Sequence, residues 1–226
     1  MNDATRAARA HRILDVTAEL LVRHGYKRVT IDDVATGADI GKGTVYLHWR
    51  TREALFWAVL QREAMRMLEQ LLADLADDPG LALPSRLMRA IFLAASERPL
   101  VLALLLSDAE ILGSLARDSA VADAQKELSG NENYLELLAE QGLLRPGLTP
   151  SSAGYVLGSV MRGFFAETGE LSVTARADLL HDVLHRTLEA DGAPPATAVA
   201  ALADAVTGLF TAIVSVQRAQ LGSAYQ

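Results

Sequence analysis

The stretch from Thr30 to Arg52 constrains the fold more than any other part of this 226-residue chain. Thr30 and Asp33 have the residue types and the spacing of a capping box, which predicts that a helix begins at about Ile31. Apolar residues then recur on one face as far as Ala38, so this first helix is about two turns long.

A tight turn and a second short helix follow. Asp39 can adopt a left-handed turn conformation, and Gly41 can act as a weak N-cap for a helix from about Lys42 to Trp49. Val45 and Trp49 lie four residues apart, so both can face the core. The remaining residues then lie on the outward face or along its rim: Lys42, Gly43, Thr44, Tyr46, Leu47 and His48.

Together the two helices predict a helix-turn-helix motif. The outward face of the second helix carries a cation, a hydroxyl, a phenol and an imidazole, which can bond to bases and phosphates near a helix N-terminus that itself attracts anions. Pairs of short helices also occur in all-α proteins that bind no nucleic acid. The spacing alone therefore leaves DNA binding and a purely structural role open.

The flanking residues favour DNA binding. Residues 12–56 closely resemble the N-terminal DNA-binding domain of the tetracycline repressor (TetR) family, and they cover about a fifth of the chain. Asp39 and Gly41 depart from the family pattern, which usually has glycine and serine there. The matching residues are Ile13, Leu14, Ala18, Leu20, Gly25, Tyr26, Thr30, Ile31, Val34, Ala35, Ala38, Lys42, Gly43, Thr44, Tyr46, His48, Trp49, Arg52, Glu53 and Leu55.

The resemblance implies a DNA-binding transcriptional regulator, most simply a homodimeric repressor that a small-molecule ligand releases from a palindromic operator. An activator, or a DNA-binding protein without a ligand, fits the sequence as well. The effector, the operator sequence and the regulated genes do not follow from the sequence. The expected DNA contacts are Thr30, Lys42, Gly43, Thr44, Tyr46, Leu47, His48 and Arg52.

The charge distribution agrees with this expectation. Residues 1–60 carry nine Lys or Arg against seven Asp or Glu, a net charge of +2, whereas the other residues carry twelve against twenty-one, a net charge of -9. The chain has no cysteine, which excludes disulfides and thiolate metal sites. The N-terminus shows no signal peptide, and the longest charge-free apolar stretch is taken to be Pro99 to Ser107. We therefore expect a soluble, cytoplasmic protein without membrane contact.

Helical patterns and breaks divide the remaining chain. The sequence predicts an all-α fold of about ten helices, with a helix-turn-helix domain in residues 1–51 and a regulatory and dimerisation domain in residues 52–226. The predicted helices outside the motif span about 5–24, 52–76, 84–97, 99–115, 120–141, 150–168, 175–190 and 195–221.

The later helices supply candidates for ligand binding and for dimerisation. Small residues in 151–165 and 199–216 would allow helices to approach closely, which predicts the dimer interface there, although ordinary core packing explains them too. Residues with apolar walls and a few polar tips are candidate pocket residues, although most could equally be core. They are Met88, Phe92, Leu104, Tyr134, Tyr155, Met161, Arg162 and Phe165.

An enzyme is the alternative from another functional class. His181 and His185, with Asp182 between them, imitate a two-histidine metal pair, but no third ligand or zinc-protease motif accompanies them. A solvated helix face explains the two histidines better. We therefore expect no catalytic residues, no metal and no cofactor.

Overall fold

The computed structural model describes residues 3–117, 132–167 and 169–224, and these residues are helical throughout apart from short connections. The only β feature within them is a single bridge between Leu144 and Glu189. The all-α prediction is confirmed. The α-helices are α1 (Asp3–His24), α2 (Ile31–Gly37), α3 (Lys42–His48), α4 (Arg52–Asp77), α5 (Pro84–Ser96), α6 (Pro99–Leu106), α7 (Ala109–Leu112), α8 (Glu132–Glu140), α9 (Pro150–Ala166), α10 (Val173–Leu188) and α11 (Ala196–Ala224), with 3-10 turns at Pro79–Ala82 and Gly113–Arg117.

The helix predicted over residues 99–115 is wrong, because the chain breaks it after α6. Ser107 takes a left-handed conformation with φ 52°, which ends α6. The Asp108 carboxylate then accepts from the backbone N–H of Glu110 at 2.8 Å and so starts α7. Of the helix predicted over 120–141, residues 118–131 lie outside the described residues, and α8 begins at Glu132.

The chain divides into two compact units. The first consists of residues 1–66, 98–122 and 213–226, so the helix-turn-helix shares it with α6, α7 and the end of α11. The second consists of residues 67–97 and 123–212, and it contains α5 and the helices from α8 to α10. Both α4 and α11 contribute residues to each unit.

The core of the first unit forms between α1 and the helices that pack on it. Ile13, Leu14 and Leu21 are buried in α1, whereas Leu20 is only half-buried. The buried position is instead Thr17, whose hydroxyl donates to the carbonyl oxygen of Ile13 at 2.7 Å. A threonine can replace an apolar residue there because this bond satisfies its hydroxyl within the helix.

The core of the second unit forms where α10 packs against α5. Phe92 is fully buried in α5, and its ring lies 5.1 Å from that of Phe165. Arg176 closes this cluster, because its guanidinium lies 5.1 Å from the centre of the Phe92 ring and donates to the carbonyl oxygen of Phe164 at 2.8 Å. At the other end of α10, the buried Glu189 carboxylate accepts from the backbone N–H of Ser85 at 2.7 Å.

α11 contains a long charge-free stretch. Residues 205–217 form a charge-free run longer than residues 99–107, so the expectation about the longest apolar stretch is wrong. Residues 196–222 are long and apolar enough to cross a membrane by length and composition alone, with a mean hydropathy of 1.9. Packed helices of soluble proteins pass the same test, so this property is weak evidence for a membrane span.

Candidate nucleic-acid interface

The helix-turn-helix begins with the predicted capping box. The backbone N–H of Asp33 donates to the Thr30 hydroxyl oxygen at 3.2 Å, while the backbone N–H and the hydroxyl of Thr30 both donate to the Asp33 carboxylate, at 2.9 and 2.6 Å. The hydrogen bond from the Thr30 hydroxyl, followed by that from its backbone, lowers the pKa of Asp33 below its usual value. The Thr30 side chain therefore fixes where α2 begins.

The turn between α2 and α3 has the predicted conformation. Asp39 lies in the left-handed region with φ 55°, and the backbone N–H of Ile40 donates to the carbonyl oxygen of Ala35 at 3.0 Å. Gly41 stands at the N-cap of α3 without a side-chain hydrogen bond. The backbone N–H groups of Lys42 and Gly43 therefore receive no side-chain cap and are available to an outside acceptor such as a phosphate.

α3 has a buried side and an outward side. Val45 and Trp49 are buried as predicted, and Tyr46 and Leu47 are exposed, with Leu47 70% exposed. His48 is only 8% exposed and its ring packs 5.5 Å from that of Trp49, so its predicted outward orientation is wrong. Positions 45, 48 and 49 share one side of a helix because they are three and four residues apart, and this spacing could have identified His48 as an inner residue.

Lys42 lies at the N-terminal end of α3 and forms an exposed ion pair with α2. Its ammonium nitrogen is 2.8 Å from the Asp32 carboxylate. The hydrogen bond to Asp32 raises the pKa of Lys42 above its usual value, so the side chain is fully charged at neutral pH. Ion pairs between exposed groups are weak, and Lys42 can exchange Asp32 for an acceptor on DNA.

Gly43 and Thr44 complete the first turn of α3. A methyl group added at Gly43 would meet no atom within 4 Å, so nothing inside the protein requires a glycine there. Thr44 is half-buried, and its backbone N–H donates to the carbonyl oxygen of Gly41 at 2.8 Å. The surface at Gly43 is therefore low and open, as a closely approaching backbone would require.

The Arg52 side chain makes more contacts within the protein than the sequence indicated. Its guanidinium lies 4.5 Å from the centre of the Tyr26 ring, and it donates to the carbonyl oxygen of Val29 at 3.3 Å. A third contact joins it to the Glu53 carboxylate at 3.6 Å. These contacts position the N-terminus of α4.

Three further cations are stronger candidates for phosphate contacts. Arg50 lies in the turn between α3 and α4, and Lys27 and Arg28 lie between α1 and α2; all three are exposed. Their side chains have no ion-pair partner within the part of the chain that the structure describes. Arg50 was not among the contacts expected from the sequence, although its position directly after the second helix of the motif is a usable signal.

The structure does not bring the predicted pocket residues together as one exposed site. Phe92, Phe165 and Tyr134 are buried, and the Tyr134 hydroxyl donates to the carbonyl oxygen of Ala82 at 2.9 Å. Burial, followed by the nearby Glu189 carboxylate, raises the pKa of Tyr134 well above its usual value. Among the others, Leu104 is buried in the first unit, Met88 and Met161 are half-buried, and Tyr155 and Arg162 are exposed.

The second unit has an apolar groove that was not expected from the sequence. It has a volume of about 420 Å³ and lies along α9 and α10. Its lining residues are Ser159, Val160, Gly163, Phe164, Glu167, Gly169, Leu171, Arg176, Leu179 and Val183. None of the predicted pocket residues lines it. Leu171, Leu179 and Val183 are exposed, which leaves a continuous apolar surface on this side of the unit.

The two histidines of α10 lie beside carboxylate groups. Their rings stack 6.0 Å apart, and His185 contacts the Glu189 carboxylate at 2.7 Å, whereas His181 lies 3.5 Å from Asp182. No group of three possible metal ligands occurs among the described residues. Their arrangement is that of a partly solvated helix face.

The arrangement of α2 and α3 suits a duplex groove, because a short helix presents a cation, a hydroxyl, a phenol and an apolar tip on one side. The family model for bacterial regulatory proteins of the tetR family matches residues 13–59, which include all of this motif. The chain belongs to the TetR family. As a member of that family it is a DNA-binding transcriptional regulator and not an enzyme.

Individual relatives agree with the TetR assignment. The HTH-type transcriptional regulator YhgD of Bacillus subtilis is 27% identical over 141 residues, which are 61% of this chain and 71% of YhgD. Other curated regulators that match align over 25–58% of their own lengths. The fold resembles that of the transcriptional regulator SCO4942 from Streptomyces coelicolor, with a TM-score of 0.58, 23% identity and coverage of 79% of this chain and 97% of SCO4942.

A second solved structure has a similar fold. NalD, the secondary repressor of the MexAB-OprM multidrug efflux pump in Pseudomonas aeruginosa, gives a TM-score of 0.55 at 22% identity. The likeness covers 82% of this chain and 98% of NalD. At these identities the two structures support the fold of the TetR-family chain and leave its ligand and operator open.

Proposed function

We propose that this TetR-family chain is a repressor that binds a palindromic operator as a homodimer and leaves it when a small molecule binds the regulatory domain. The observation that carries the proposal is the outward side of α3. An α-helix with its side chains is about 10–12 Å across, which suits a major groove about 12 Å wide. In this proposal the DNA-binding domain spans residues 1–51 and the regulatory domain spans residues 52–226.

The proposed contacts divide into base-reading and phosphate-binding groups. Lys42 and Thr44 can donate to base edges, and the exposed Leu47 suits the methyl group of thymine. Tyr46 and Thr30 lie at the edges of this surface, where hydroxyl groups commonly contact phosphates. Arg50, Lys27 and Arg28 add positive charge around it, and Gly43 lets the helix approach closely.

His48 and Arg52 are proposed to support this surface from within. The His48 side chain faces the interior from the end of α3 and packs beside Trp49, and the Arg52 guanidinium lies against the Tyr26 ring. Substitution of either residue would therefore weaken DNA binding by moving α3 or α4. Direct readout of a base is left to the exposed residues of α3.

A homodimer is supported by the apolar surface on α9 and α10. Leu171, Leu179 and Val183 expose apolar side chains along a groove of about 420 Å³, and a second copy would cover them. Two copies related by a two-fold axis would present two α3 helices to half-sites about one helical turn apart. The net charge of -9 beyond residue 60 would keep the rest of each copy away from DNA.

A small-molecule effector is proposed for the second unit, where Phe92 and Phe165 form an aromatic cluster that Arg176 closes. A ligand can shift the chain towards a released state only by its difference in affinity for the two states. Among the predicted pocket residues, Met88 and Met161 are half-buried and can repack around a ligand. A cytoplasmic location follows from the proposed contact with operator DNA.

Footprinting on the DNA upstream of the protein's own gene tests the proposal. The expected footprint is a palindrome whose half-site centres lie about 10 bp, or a multiple of it, apart. Transcription in vitro from the same DNA should fall when the protein is added and recover with a compound that releases it. Increased transcription would support an activator instead, and the lack of any sequence-specific footprint would contradict the proposal.

A further inference from the structure

The loop between α1 and α2 is held by residues 110–114, a segment named here the clasp. The backbone N–H of Tyr26 donates to the carbonyl oxygen of Ile111 at 3.2 Å, and the Ser114 hydroxyl donates to the Tyr26 hydroxyl at 2.8 Å. Tyr26 in turn donates to the Glu53 carboxylate at 2.9 Å. These residues all belong to the first compact unit. One phenol group therefore connects the clasp to the first turn of α4.

Two glycines show how closely the loop and the clasp fit. Gly113 has a φ of 58°, and a Cβ atom there would overlap the Tyr26 ring. Gly25 has a φ of 70°, and a Cβ atom there would lie 3.1 Å from the carbonyl oxygen of Glu110. A larger residue at either position would force the loop and the clasp apart.

Tyr26 also fixes where α4 begins. The Arg52 guanidinium lies over its ring, and the Phe56 ring packs edge-on at 5.3 Å. The backbone of Glu53 donates a hydrogen bond to the Glu53 carboxylate, and this bond, followed by the bond from the Tyr26 hydroxyl, lowers the pKa of Glu53. The carboxylate therefore stays charged and accepts from the phenol. Only residues 49–51 separate α3 from α4, so a shift of Tyr26 would move the end of α3.

We propose that the clasp is a regulatory contact that sets operator affinity. While it holds Tyr26, α3 is presented in the orientation that reads DNA, and its release lowers the affinity. Tyr26 is a positioning residue, since it is buried and cannot reach a base. This inference rests on the proposed function, because it concerns binding to the operator.

Operator binding by variants of the clasp tests this inference. Gly113→Ala should weaken operator binding by about tenfold or more, because its methyl group displaces the Tyr26 ring. Ser114→Ala removes one hydrogen bond and should weaken binding by about three- to tenfold, while Ser114→Thr keeps the hydroxyl and should bind nearly as the wild type does. The matched control is Gly142→Ala, which has a similar φ of 68° but no atom within 4 Å of the added Cβ.

Hydrogen exchange supplies a readout that does not involve DNA. In Gly113→Ala the amide of Tyr26 should exchange faster than in Gly142→Ala, because its bond to Ile111 is weakened. If Gly113→Ala does not fold, Ser114→Ala decides the matter, since it removes only one oxygen atom.

The two proposals fail in different ways. If the wild type binds its operator and the Gly113 and Ser114 variants bind as tightly as Gly142→Ala, the clasp is overturned and the proposed function stands. If the wild type binds no operator, the proposed function is overturned, and control of operator affinity by the clasp falls with it.

Discussion

Gly43 is an unfavourable residue for a helix and has open space around it, so its substitution is a sensitive test of DNA binding. In a helix, glycine is less stable than alanine by about 0.5–1 kcal/mol, and nothing within the protein opposes an added methyl group here. Gly43→Ala should therefore raise the free energy of unfolding by about that amount. It should also weaken operator binding by about tenfold, because the methyl group meets the DNA. Thermal unfolding measures the stability and titration with operator DNA measures the affinity. If Gly43→Ala raises both the free energy of unfolding and the operator affinity, DNA does not approach Gly43.

Asp32 places a negative charge on the surface that would face the phosphates. Its exposed pair with Lys42 contributes little to folding, so Asp32→Asn should leave the melting temperature nearly unchanged. The same change should strengthen binding to unrelated DNA by a factor of about 2–5 at low salt, and high salt should reduce this gain. Glu136→Gln, an exposed change in α8, is the control and should have no effect. Weaker binding by Asp32→Asn would mean that Asp32 accepts a bond from a base.

α1 and α4 are joined by two arginines that share partners but differ in burial. Arg62 is 2% exposed and Arg66 is 48% exposed, and each contacts the carboxylates of Asp15 and Glu63. Arg62 also donates to the carbonyl oxygen of His11 at 3.2 Å, so its guanidinium connects the middle of α1 to the middle of α4. The pairing of these helices therefore depends on burial of one side chain more than on charge.

Chemical denaturation of two alanine variants tests this difference. Arg62→Ala should lower the free energy of unfolding by about 2–4 kcal/mol, because it removes buried packing and several hydrogen bonds. Arg66→Ala should lower it by less than about 1 kcal/mol, since exposed ion pairs contribute little. Equal losses for the two variants would show that the charges themselves hold the helices together.

The prediction about dimer formation concerns the exposed apolar side of α9 and α10. Leu179→Asp places a charge in the proposed dimer interface and should give monomers by sedimentation, together with weaker operator binding. Val22→Asp in α1 is the matched control, because Leu179 is 47% and Val22 is 48% exposed. The control should stay dimeric. A Leu179→Asp variant that also stays dimeric would place the interface on another surface, such as residues 199–216 of α11.

The sequence predicted most helix boundaries because the signals for them are local. The Thr30 and Asp33 capping box and the left-handed Asp39 occur as predicted. Their conformations depend on neighbours within four residues, which the sequence displays directly. The break at Ser107 was missed, because serine adopts a left-handed conformation only where the surrounding structure favours it.

The sequence by itself determined the all-α fold, the helix-turn-helix and the uneven distribution of charge, because periodicity, capping and composition are properties of short stretches. Only the tertiary structure decided that Arg52 lies against Tyr26. It also brought residues 110–114 to the α1–α2 loop. Such contacts join residues far apart in the chain, and no local pattern of residues encodes which distant partner a side chain meets.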